Sequence, residues 1–356
     1  MNQVLLNTIN LDGGKFIIKG GSTGGGAGKP KWTGHADAEG LRAIGWTDED
    51  IAYYQENGVN WNEEDDQYHL VTDDNKALYG VLTANNISSY KDRIVYLPKI
   101  DTSTQTTMNR RFYGCLSLVA IPMLDTQNVT NMSGLFYDCR SLVCVPLLDT
   151  KKVTDMSQMF YNCYALVSIS QFDTQNVANM SNMFFGSRIL ATIPHFDTQN
   201  VTNMAGMFNG CYALSTIPHF DTKNVTNMTS MFNGCGVLNS IPYLDTKNVT
   251  NMANMFNYCY ALVSVPHLDT QNVTSLGSTF GYCYTLTTAN LKNVTLAIQL
   301  NNSALLSKES LLYIINNEAE TSAITIKLAS YAYNKWSTDA DVIAALEAHP
   351  NISISA

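Results

Sequence analysis

Charge is scarce in this sequence. Asp, Glu, Lys and Arg make up 14% of its 356 residues, against about a quarter in an average globular protein. Lys and Arg number 21 against 30 Asp and Glu, a net charge of -9, and the isoelectric point lies near 5.1. No clustered basic footprint is left for a phosphate backbone, which excludes nucleic acid as an expected partner. Long apolar runs are also missing: no segment approaches the roughly 20 residues that span a bilayer. Met1 to Leu11 lack the basic start and apolar stretch of a secretory signal. The expectation is a chain made in the cytoplasm, without membrane insertion. Catalytic signatures are missing too. There is no Gly-x-Ser-x-Gly elbow and no His-Glu-x-x-His, and Gly28-Lys29 fails as a phosphate loop because Thr23 and Pro30 stand where Gly and Ser/Thr are required. The expectation is a non-enzymatic protein with no cofactor.

What the sequence has is a repeat. Asp-Thr recurs at Asp101, Asp125, Asp149, Asp173, Asp197, Asp221, Asp245 and Asp269, always 24 residues apart. A unit this short cannot close a core of its own, so successive units must stack and bury a shared apolar side. Counting each Asp as place zero, apolar residues fall at places four, seven, ten, eleven, fourteen, seventeen, twenty and twenty-three. A spacing near three fits neither a long helix nor a two-faced strand; it suits a coil that turns repeatedly. Place eleven is an unbroken Phe spine from Phe112 to Phe280. The Asp should turn the chain by accepting from N–H groups just ahead of it. The Leu-x-x-Ile run before Pro is the expected strand, giving nine parallel strands of which Ile94-Val95-Tyr96-Leu97 is the first.

Seven of the eight cysteines share place fourteen, with Ser187 substituting in the fourth unit and Cys144 lying elsewhere. Stacked coils hold equivalent residues about 4.8 Å apart, wider than the usual disulfide Cβ separation near 3.8 Å. They are expected to be buried thiols.

The organisation reads as an N-terminal attachment segment over 1–19, a Gly-rich linker over 20–30, a small acidic helical region over 31–91, the solenoid over 92–300 and an α/β C-terminal cap over 301–356. In the acidic region Thr47-Asp48-Glu49-Asp50 is a capping box opening a helix over Ile51, Tyr53 and Tyr54, with Trp32, Trp46 and Trp61 as a small core. Its acids read as a solvated face or a docking surface for a basic partner, since Asp65 to Leu70 lack the alternating ligands of a calcium loop. In the cap, Ser307 should open a helix over Leu311, Leu312, Ile314 and Ile315. Ile324-Thr325-Ile326 should form a strand, Asp339 to Ala348 a second helix, and Ile352 and Ile354 alternate again.

The candidate recognition surface is a pair of stripes. Tyr164, Tyr212, Tyr260 and Tyr284, with Arg140 and Arg188, occupy place fifteen; His195, His219, Tyr243 and His267 occupy place twenty-two. Tyr and His join an apolar face to a polar tip, which suits stacking with hydrogen bonding. Small residues between the stripes, such as Ser168, Thr192 and Thr216, could floor a sugar chain. Equally, exposed solenoid positions drift and tolerate Tyr. Two imidazoles make only half a zinc site, so no metal is expected.

Residues 197–214 and 221–238 read Asp-Thr-Gln/Lys-Asn-Val-Thr-Asn-Met-x-x-Met-Phe-x-x-Cys-x-x-Leu, which resembles the BspA-like leucine-rich repeats of bacterial surface proteins. The resemblance covers about residues 92–300. It implies an α/β, leucine-rich-repeat-like solenoid with a parallel sheet, and adhesion to host or matrix ligands. Residues 44–54 and 58–65 resemble, more loosely, structural proteins of crAss-like phages of gut Bacteroidetes. That implies a virion fibre or decoration protein assembled in the host cytoplasm, held to other virion proteins through residues 1–19, with the solenoid binding a host-surface or mucosal glycan or protein. Self-association into a homo-oligomer stays open. The alternative is an adhesin on a bacterial cell surface.

Overall fold

A computed structural model of the chain describes residues 102–121, 123–319 and 323–356, together with the backbone of four short strands nearer the N-terminus. Of these, β1 (Ile9–Asp12) pairs antiparallel with β2 (Lys15–Ile18), and β3 (Val59–Asn62) with β4 (Gln67–Leu70). Within the stretch expected to be helical, the described residues are therefore strand. The capping-box helix, Trp32, Trp46 and the strand at 94–97 lie outside the described residues.

From Thr102 onward the chain winds as coils whose equivalent residues stack. Parallel bridges join place six of each coil to the next, from Thr107 with Asn131 through to Asn251 with Ser275. The dense ladder follows this bridge. Met108, Arg110, Phe112 and Gly114 donate their N–H groups to carbonyls of the next coil at 2.8–2.9 Å; between them Arg111, Tyr113 and Cys115 donate three residues back within their own coil at 3.1 Å. Alternate amides thus tighten the coil and tie it to its neighbour. The turns Met108–Arg111 and Phe112–Cys115 need positive φ at their third residue, and every coil supplies it at places nine and thirteen, as at Arg110 (φ 51°), Gly114 (71°), Asn182 (54°) and Gly186 (73°).

Side chains complete what the amides leave. The Asp carboxylate accepts from the N–H two residues on, as expected: Gln127 to Asp125 is 3.2 Å and Gln199 to Asp197 is 3.1 Å. The adjoining Thr is buried, and its hydroxyl donates to the Asp carbonyl of the next coil, at 2.8 Å from Thr102 to Asp125 and 2.9 Å from Thr198 to Asp221. At place three, Asn176, Asn200 and Asn224 donate to Lys151, Gln175 and Gln199 carbonyls at 2.7 Å. A surface poor in charge is thereby knit by neutral amides and hydroxyls.

The apolar places line one continuous core. Ring centroids in the Phe spine are 5.3–5.8 Å apart from Phe112 to Phe280, and Phe172, Phe196 and Phe220 pack against it at 6.2–6.3 Å.

The expected nine-stranded sheet needs correction. Among the described residues, regular parallel pairing in this part of the coil appears only between β5 (Ser264–Asp269), which runs through Pro266, and β6 (Thr288–Lys292). Earlier coils are joined there by sparse bonds such as Val143 to Val119 and Val167 to Val143. The weight of inter-coil bonding falls on places five to thirteen.

After the last coil, β7 (Ile298–Leu300), β8 (Ile324–Leu328) and β9 (Ile352–Ser355) form a parallel sheet in that order. Helix α1 (Lys308–Asn316) crosses from β7 to β8; α2 (Ser330–Trp336) and α3 (Ala340–Ala348) cross from β8 to β9. Ser307 and Asp339 cap α1 and α3 as their positions predict, and α2 is a helix the sequence reading missed. Leu311, Ile314 and Ile315 are buried, and Ser310 Oγ accepts from the Ala289 amide at 2.8 Å, joining α1 to β6. Among the described residues no helix is long and apolar enough to cross a membrane.

Candidate functional site

The turn that ends at place fourteen throws place fifteen outward, because the buried side chain at fourteen faces the core. Tyr212, Tyr260 and Tyr284 are accordingly exposed. Tyr164 differs: it is half-buried, with the Arg188 guanidinium 4.3 Å and that of Arg140 5.6 Å from its ring centroid, and Arg188 reaches on to Tyr212 at 6.0 Å. Four of the expected residues thus form one alternating cation–π column. Such contacts are worth roughly 0.5–1 kcal/mol each at exposed sites, so part of this column is engaged with itself.

At the other end of the stripe the coils build a box that the sequence reading only half found. Tyr258 stacks on Tyr282 with centroids 4.5 Å apart, and Tyr260 on Tyr284 at 6.0 Å. Within each coil the pair meets edge to face, Tyr258 with Tyr260 and Tyr282 with Tyr284, both at 6.1 Å. All four rings are 39–50% exposed. Tyr258 and Tyr282 sit at place thirteen with φ of 60° and 57°, where other coils put Gly114, Asp138, Asn162, Gly186, Gly210 and Gly234. The signal was present as Tyr-Cys-Tyr at 258–260 and 282–284. It was passed over because place thirteen varies and its left-handed backbone was not recognised. The Tyr282 phenol beside it pushes the Tyr258 phenol upward, so Tyr258 remains a neutral hydrogen-bonding tip. Beside the box Gly234 and Gly236 leave a bare rung. Rings of the flanking coils lie over it, Tyr212 Cε1 at 3.4 Å from where a Cβ of residue 234 would stand and Tyr260 Cδ2 at 3.5 Å from that of residue 236.

A further aromatic stack runs at place twelve: Tyr113, Tyr137, Tyr161 and Phe185, with centroids 5.1, 4.4 and 4.4 Å apart. It too was missed.

In the place twenty-two stripe, His195, His219, Tyr243 and His267 are all exposed. His195 and His219 stay on the open coils. Tyr243 and His267 instead enter a cleft of about 470 Å³ where the last coils meet α1, and the His267 ring lies 4.9 Å from that of Tyr313. Among the described residues no three His, Cys, Asp or Glu side chains gather as a metal site would require.

Known proteins match the repeat region. The model of a family described as "Mycoplasma protein of unknown function, DUF285" matches residues 83–190, 143–240 and 187–294, which together run from 83 to 294. Two solved structures are similar. One is a leucine-rich repeat protein of T. pallidum (TpLRR), 20% identical over 47% of this chain and 72% of that one, with a TM-score of 0.35. Another is a leucine-rich repeat protein from Bacteroides ovatus, 15% identical over 63% and 83%, with a TM-score of 0.20. No curated protein matches. The matched stretch takes in the coils that carry both stripes and exceeds half of the chain, and the chain therefore belongs to the DUF285 family.

Proposed function

We propose that this protein is a non-enzymatic recognition module whose stacked coils present the tyrosine box to a surface glycan. The observation that carries the reading is the exposed four-ring box itself: Tyr258 stacks on Tyr282 and Tyr260 on Tyr284, with each pair meeting edge to face within its coil. The left-handed backbone of Tyr258 and Tyr282, a cost of about 1–2 kcal/mol for an L-residue, is the one every coil adopts at place thirteen. The four rings lie outside the buried core and keep 39–50% of their surface open. Four tyrosines in two layers give flat apolar faces edged with hydroxyls, the combination that stacks on a sugar ring while bonding its polar edge. In this reading the C-terminal α/β unit is a cap that closes the open end of the coils.

For the place of display, the resemblance of residues 44–54 and 58–65 supports a virion protein held through its N-terminal segment. Membership of a family described from Mycoplasma supports a bacterial protein, and the second reading places it on a bacterial cell surface. Mass spectrometry of purified particles against host membranes separates them: the protein belongs in the particle fraction under the first and in the membrane fraction under the second.

The binding test uses the whole chain on a glycan array, wild type beside the double variant Tyr258→Gly and Tyr282→Gly. Glycine relieves the backbone, so the variant should melt no lower while losing its glycan signal. A blank array for the wild type, or an undiminished signal for the variant, refutes the reading.

A further inference from the structure

The cleft between the last coils and α1 is built differently from the tyrosine box and lies on the other stripe. Its walls are rings: Tyr243 on one coil, His267 on the next, and Tyr313 reaching over from α1 against His267 at 4.9 Å. Its polar lining comes from successive coils, Asp245 and Lys247 on one turn, Asp269 on the next coil and Lys292 at the end of β6. Its volume, about 470 Å³, falls within the roughly 300–1,000 Å³ of small-molecule sites.

The charge pattern selects the ligand. Two carboxylates and two ammonium groups balance, and the closest pair is already spent internally: Lys292 Nζ lies 3.2 Å from Asp269 Oδ2, while Asp269 Oδ1 accepts from Asn293 at 2.9 Å and from the Gln271 amide at 3.1 Å. A lining with no net charge draws neither anion nor cation from solvent. It does offer a donor and an acceptor two residues apart on one turn, the exposed Lys247 ammonium and the Asp245 carboxylate, whose Oδ1 accepts from the Lys247 backbone amide at 3.1 Å. Neighbouring donor and acceptor match adjacent hydroxyls, and the aromatic walls match the C–H face of a saturated ring. We infer that this cleft is a second, independent binding site, which takes a neutral pyranose residue with Tyr243 stacked on the ring and Lys247 and Asp245 bonded to vicinal hydroxyls.

The site needs both parts of the molecule, since Tyr313 belongs to α1 while the other groups belong to the coils. This explains why His267 differs from His195 and His219, which share its place but have no helix above them.

The test uses the full chain and the methyl pyranosides of glucose, galactose, mannose, N-acetylglucosamine and fucose, with the His267 imidazole resonances followed by NMR. The expected result is a saturable shift with at least one of these sugars. Tyr243→Ala should weaken it by about ten-fold or more, and raising NaCl to about 0.5 M should leave it unchanged because no net charge is matched. The Tyr258→Gly and Tyr282→Gly variant should retain this binding even though it loses the box, so either site can fail without the other. No shift with any of the sugars, an undiminished response in Tyr243→Ala, or binding confined to glucuronate and abolished by salt would each overturn the assignment.

Discussion

Ser187 Oγ donates to the Phe160 carbonyl at 3.1 Å, and in doing so replaces a sulfur. Cys139, Cys163, Cys211, Cys235, Cys259 and Cys283 each donate from Sγ to the Phe carbonyl one coil back, at 3.0–3.3 Å. Ser was the one exception in the cysteine column, and the bond explains it: the place demands a small buried donor. Ser187→Cys should therefore change stability by less than about 0.5 kcal/mol. Ser187→Ala withdraws a buried donor and should cost about 1–3 kcal/mol. Urea unfolding of both variants checks the contrast.

The same burial governs thiol chemistry. Desolvation pushes Cys283 up to about 12 and Cys139, Cys163, Cys211, Cys235 and Cys259 well above their ordinary value. The reactive form is the thiolate, so none of these groups should react with iodoacetamide in the folded chain at neutral pH. Mass spectrometry should find the described cysteines alkylated only after denaturant is added.

The buried places could be read in advance because every coil buries the same ones, and the repetition averages away the noise of any single unit. Places nine and thirteen could not be read this way. Their demand is on the backbone, and Arg110, Gly134, Gln158, Asn182 and Ser230 all meet it. A column of unlike residues looks like free variation. That oversight hid Tyr258 and Tyr282, and it also put the main ladder in the wrong segment, since the bonds depend on those turns. Tyr313 was illegible for another reason: it joins the coils only through the packing of α1, a contact no repeat pattern encodes.

The backbone demand predicts a graded response to alanine. At Gly114 an added Cβ meets nothing within 4 Å, so Gly114→Ala carries only the left-handed penalty, about 1–2 kcal/mol. At Gly206, with φ of 62°, the Cβ would press into Asn182 Oδ1 of the preceding coil. The Asn182 amide is the far end of a half-buried side chain and can swing aside, so Gly206→Ala should cost more than Gly114→Ala by no more than about 1 kcal/mol. Adding Asn182→Gly should recover that excess, and chemical denaturation of the double variant measures the recovery.

Phe208 tests the spine. It is fully buried, between Phe184 at 5.8 Å and Phe232 at 5.7 Å, with Phe220 at 6.2 Å. Phe208→Ala opens a cavity that neighbouring coils cannot close without breaking their register, and it should cost about 3–5 kcal/mol. Phe208→Leu keeps most of the volume and should cost less. A loss below about 1 kcal/mol for the alanine variant would contradict the stacked core.

The ion pair beside the cleft sets a pH window. Burial would raise the Asp269 carboxyl, but hydrogen bonds from Asn293, the Gln271 amide and Lys292 outweigh it and hold the group below its ordinary value. A depressed carboxyl stabilises the fold above its unfolded value, about 3.9, and that contribution is lost as pH falls through the folded value. Lys292 is raised by its bond to Asp269. Its contribution is present below the unfolded value of about 10.4 and is lost as pH rises through the folded one. Between these limits the pair holds the β5–β6 junction, and because Lys292 is 42% exposed solvent keeps its worth to about 1 kcal/mol or less. Asp269→Asn should therefore lower the Tm slightly at pH 7 and narrow the gap to wild type below about pH 4. Thermal melts across that range measure it, and a gap that widens in acid would place the stabilising charge elsewhere.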